Sequence, residues 1–64
     1  MNTEEELWAA ALALVEEHGP DAPIRAAQEA DAAFERTDLD GAHAWRIVTR
    51  RSAILLEGRR ALPN

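Results

Sequence analysis

Apolar positions along the chain recur at three and four residues, which is the period of a helix with one buried face, and nowhere do they alternate as in a strand. Three segments follow. In the first, Leu7, Trp8, Ala11, Leu12, Leu14 and Val15 share a side. Thr3-Glu4-Glu5-Glu6 precedes them and has the form of a capping box, in which the Thr3 hydroxyl accepts from the Glu6 amide and Glu6 reaches back. Gly19-Pro20 supplies the stop, so the spacing predicts a helix over 4–18.

The second segment begins at Asp21, a residue suited to an N-cap, with Pro23 in the first turn where a missing amide costs nothing. It is predicted over 22–36, with an apolar arc of Pro23, Ala26, Ala27, Ala30, Ala33 and Phe34 and with Ile24 at its margin. Alanine dominates that arc, which favours close approach to neighbouring helices. The third is predicted over 39–57, capped by Asp38 and stopped by Gly58. Gly41, Trp45, Val48, Ser52, Leu55 and Leu56 share one of its faces, and Gly41 is expected to serve a close helix contact. Residues 59–64 read as a flexible tail.

Short connections bring consecutive helices roughly antiparallel. The expectation is all-α: a small three-helix bundle occupying residues 1–58, its core formed by Trp8, Leu12, Val15, Phe34, Trp45, Val48 and Leu56.

The 64-residue length allows one domain with a small core. No cysteine is present, so neither a disulfide nor a thiolate metal site can staple it. His18 and His43 fall on different helices without ligand spacing, and no metal or cofactor is expected. Association, with a partner protein or with a second copy, is the staple that remains. No apolar run is long enough for a membrane span. The N-terminus is acidic where a signal peptide is basic, so a cytoplasmic protein is expected.

The net charge of −5 is polarised, with −9 over residues 1–40 and +4 over residues 41–64. The acidic part disfavours nucleic-acid binding. Arg46, Arg50, Arg51, Arg59 and Arg60 make the last helix basic, without a helix-turn-helix pattern around them.

Candidate chemistry is sparse. His18 suits a helix C-terminus as well as a pH-sensitive role. Trp8 and Trp45 fit the core better than a stacking site. Asp31 lies at the edge of an apolar arc, where Arg46 or an arginine of a neighbouring chain could pair with it; the equal alternative is an acid leaning to solvent. Asp38 and Asp40, like Glu4 to Glu6, fit capping and the helix dipole rather than acid–base catalysis. There is no phosphate loop or nucleophile motif, and an enzyme is not expected.

The remaining feature is a second stripe on the third helix, where Ile47 and Ile54 stand seven residues apart, away from Trp45 and Leu56, beside Arg50 and Arg51. One reading of Ile47, Arg50, Arg51 and Ile54 is a protein-contact patch with arginines at its rim. Others are a core face wider than the wheel suggests, or isolated exposed isoleucines. The functional expectation is a non-enzymatic helical protein acting by protein–protein binding. The alternative is a phage- or mobile-element-encoded inhibitor, of the anti-CRISPR or anti-restriction type, with an acidic surface.

Glu6-Leu7-Trp8-Ala9, His18-Gly19, Asp21-Ala22-Pro23, Ala27, Asp38, Gly41, Trp45-Arg46 and Arg51 also occur in an order and spacing that resemble a family of short uncharacterised proteins of sphingomonads and related alphaproteobacteria. The resemblance spans nearly the whole chain and departs from the family in the more polar Arg25, Asp31, Glu35 and Arg36. The family's domain has no known function, so the resemblance implies a helical fold and a bacterial cytoplasmic origin, and no activity.

Overall fold

A computed structural model describes residues 3–61, all of whose regular structure is helical. Helix α1 spans Glu4–His18, a single 3-10 turn spans Gly19–Asp21, α2 spans Ala22–Glu35 and α3 spans Leu39–Ala61. The bundle of three separate helices is therefore not what forms: α1 is joined to α2 without a gap by the 3-10 turn, and α3 is a second stretch.

The bend between α1 and α2 has a local cause. Gly19 adopts φ 57 and ψ −132, a conformation open to glycine and strained for other residues. Its amide still donates to the Val15 carbonyl, and the Ala22 amide donates to the Gly19 carbonyl. Asp21 is consequently already in helical conformation and makes no side-chain cap, contrary to the sequence expectation.

The start of α1 is as expected. The Glu6 amide donates to Thr3 Oγ1 at 3.1 Å, and the Thr3 amide donates to Glu6 Oε1 at 3.2 Å.

The α2–α3 turn takes three residues. The Thr37 amide donates to the Phe34 carbonyl at 2.9 Å and the Asp38 amide to the Ala33 carbonyl at 2.8 Å, the paired bonds of a Schellman ending. Such an ending places its central residue at positive φ. Here that residue is Thr37, at φ 63, where glycine is usual. Asp38 then caps α3, accepting from the Gly41 amide at 2.9 Å. A Cβ on Gly41 would collide with the Asp38 carboxylate, so Gly41 serves its own cap rather than a neighbouring helix.

Helix α3 runs through Gly58 to Ala61, so Arg59 and Arg60 are helical rather than part of a tail; residues 62–64 lie outside the described residues. Two arginines suit the negative end of a helix dipole, and Arg59 also meets Glu16 at 3.7 Å.

Helix α3 packs against both α1 and α2, more extensively against α2. Glu4 and Glu16 of α1 meet Arg51 and Arg59 of α3 in the same order, so these two helices run side by side in one direction.

The core is made of small side chains. Leu7, Ala11, Val15, Ala22, Ala26, Ala30, Ala33, Ala42, Ala44 and Val48 are buried, and the largest fully buried side chains are Val15, Val48 and Ser52. The Ser52 hydroxyl is satisfied within its helix by the Thr49 carbonyl at 2.8 Å. Of the expected core, Val15 and Val48 are buried, Trp45 and Leu56 are half-buried, and Trp8, Leu12 and Phe34 are exposed. The alanine face of α2 explains the correction. A face of methyl groups favours close packing of helices and offers little room for an indole or phenyl ring.

Candidate functional site

With the interior closed to large residues, apolar bulk collects on the surface. Trp8, Leu12, Ile24, Phe34, Leu39 and Ile54 are all exposed. Three of them adjoin the seam between α1 and α3.

Arg51 organises that seam. Its guanidinium lies 4.7 Å from the centre of the Trp8 ring, in cation–π range. The same group donates to both carboxylate oxygens of Glu4, at 2.7 and 2.9 Å. The Arg51 side chain is only 16% exposed although the Glu4 side chain is 74% exposed, so Arg51 is largely enclosed where α1 and α3 meet. Leu12 follows Trp8 by one helical turn, and Ile47 and Ile54 lie one turn to either side of Arg51. Trp8 and Leu12 on α1 and Ile47 and Ile54 on α3 therefore line the two sides of a seam that Arg51 bridges.

The four residues expected at a contact patch do not share one environment. Ile54 is 53% exposed. Ile47 is half-buried against the core cluster of Leu7, Ala11, Ala26, Ala44 and Val48. Arg51 is engaged by Trp8 and Glu4, and Arg50 is exposed on the outer flank of α3. Trp8 and Leu12 were absent from the sequence-based patch because both were assigned to the core. Their neighbours carried the missing signal. Glu5, Trp8, Leu12 and Glu16 follow three- and four-residue spacing, and a stripe with an acid at each end is a poor core face.

A second concavity, of about 450 Å³, runs between α2 and α3. Pro23, Ala27, Ala30 and Ala53 line it together with Asp31, Arg46 and Arg50. Asp31 and Arg46 share this groove without forming an ion pair, and Asp31 is exposed, which agrees with an acid leaning to solvent rather than one paired with Arg46. A smaller hollow of about 190 Å³ holds Phe34, Leu39 and His43 at the α2–α3 turn. His18, at the end of α1, is half-buried, and Asp40 lies in the first turn of α3. Among the described residues, no three His, Asp or Glu side chains are gathered as a metal site. No helix of the described residues is long and apolar enough to cross a membrane.

No family model, curated protein or solved structure matches this chain.

Proposed function

We propose that this chain is a non-enzymatic protein-binding module of the cytoplasm, and that it docks through the outer face of the α1–α3 seam. One observation carries the reading. Trp8, Leu12 and Ile54, at 38, 45 and 53% exposure, flank an arginine that is already desolvated and fixed. A tryptophan and an arginine amid aliphatic side chains are the composition of an interface centre, where a few such residues supply most of the binding energy. Arg51 is ordered before any partner arrives, which lowers the entropy lost on binding. The reading assigns the chain no catalytic step, cofactor or metal.

The test is photo-crosslinking in cells of the native host. A benzophenone amino acid at position 54 is expected to give discrete protein adducts, while the same group at exposed Gln28 on α2 gives none. Equal adducts from both positions would overturn the assignment of the face.

A further inference from the structure

We propose that the occupant of this face is a second copy of the chain, related by a two-fold axis running along the α1–α3 seam. The proposal rests on the reading of the seam as a docking face and adds to it a partner and a symmetry. The apolar strip has two unlike margins. On the α1 side, Glu5 precedes Trp8 by three residues and Glu16 follows Leu12 by four, both exposed. On the α3 side, Arg50 follows Ile47 by three residues; it is exposed and stands where this face meets the α2–α3 concavity.

A two-fold contact sets the same patch against itself, so the patch must complement its own rotated image. Two orientations of the axis are distinguishable here. An axis across the helices lays α1 on α1 and α3 on α3 in opposite directions, which sets Glu5 and Glu16 of one copy against Glu16 and Glu5 of the other. An axis along the seam lays α1 of each copy over α3 of the other. The acidic margin then faces Arg50 twice, while Trp8 and Leu12 of each copy meet Ile54 of the other between them. Charge therefore selects the second arrangement, since like charges at an interface oppose association. The side-by-side course of α1 and α3 makes this pairing geometrically available along their length.

Size agrees. The molecule extends 44 by 21 by 15 Å, and α1 and α3 run along each other from Glu4 and Arg51 to Glu16 and Arg59. A standard interface buries roughly 800 Å² per partner, which such a face can supply.

Sedimentation equilibrium on the purified chain tests the proposal. The wild type is expected to be a dimer, and Ile54→Glu a monomer with unchanged helical circular dichroism. Charge exchange tests the axis without touching the apolar strip. Glu5→Arg and Arg50→Glu, each alone, are expected to weaken dimerisation by about tenfold, and the two together to restore it. A dimer indifferent to both single exchanges, or one not restored by the pair, overturns the seam axis. A wild type still monomeric at about 1 mM overturns the second copy as occupant. In that event, crosslinks from position 54 to another protein leave the docking face standing, whereas their absence removes it as well.

Discussion

Arg51 of α3 lies over the ring of Trp8 of α1, its guanidinium 4.7 Å from the ring centre. The contact joins the two ends of the chain, and with the Glu4 ion pair it is the main polar tie between α1 and α3. Glu4 is largely exposed, so solvent screens the ion pair and leaves it the smaller share. Arg51→Ala is expected to lower stability by about 1 kcal/mol, and Arg51→Lys to recover only part of it, because an ammonium cannot lie flat on the ring and span both carboxylate oxygens. Urea denaturation of the three proteins checks this.

The two tryptophans should differ in access. Trp8 is 38% exposed, whereas Trp45 is half-buried against the core cluster. Acrylamide is expected to quench the wild type with two components, and Trp8→Phe to remove the more accessible one. A single shared quenching constant would place both indoles in the same environment.

Thr37 is a β-branched residue at φ 63. The left-handed conformation costs a non-glycine residue about 1–2 kcal/mol, and glycine returns part of that through its greater freedom when unfolded. Thr37→Gly is expected to stabilise the fold by about 1 kcal/mol, read as a raised denaturation midpoint with an unchanged slope.

The core should resist enlargement. Ala26 is fully buried in the cluster formed by Leu7, Ala11, Ala44 and Val48. Ala26→Leu is expected to destabilise by about 1–3 kcal/mol even though leucine is more hydrophobic, because the helices must separate to admit it. Thermal unfolding followed by circular dichroism measures the loss.

The N-cap makes a simpler case. Thr3 accepts from the Glu6 amide and Glu6 returns a bond to the Thr3 amide. Thr3→Ala is expected to cost about 0.5–2 kcal/mol, seen as a lower urea midpoint.

Most of the helical layout was legible because its signals are local. Thr3 and Glu6 encode the start of α1 within four residues, and Asp38 does the same for α3. Gly19-Pro20 marks the end of α1 as expected, with Gly19 capping at φ 57, but the 3-10 turn that follows leads straight into α2, since a proline at the start of a new turn breaks no hydrogen bond it needs. Gly58 was read as a stop as well. A glycine ends a helix only where the chain takes up positive φ, and here it does not. Burial was the less legible part. Helical wheels give each residue a direction and say nothing of how close the neighbouring axis comes. Alanines at 22, 26, 30 and 33 fill the buried face of α2, while Trp8, Leu12 and Phe34 lie exposed. Exposure was partly legible: Ile54 stands out by direction alone, while the exposure of Trp8 and Leu12 does not follow from the wheel.

The unequal packing of α3 against its two neighbours has a kinetic consequence. Helices α2 and α3 are joined by a three-residue turn and share the larger contact, so their pairing closes almost no loop. The α1 contact, by contrast, ties residues 47 positions apart, as in Glu4 and Arg51. Closing the longer loop comes at a greater entropic cost, which makes the α2–α3 hairpin the early-forming unit and α1 the last element to dock. The same order, reversed, makes α1 the first to open, with amides of the Leu7–Val15 stretch exchanging with solvent sooner than those of Ala42–Ser52. Trp8 and Leu12 sit on that most weakly held element, so any partner that covers them also slows the chain's own local unfolding.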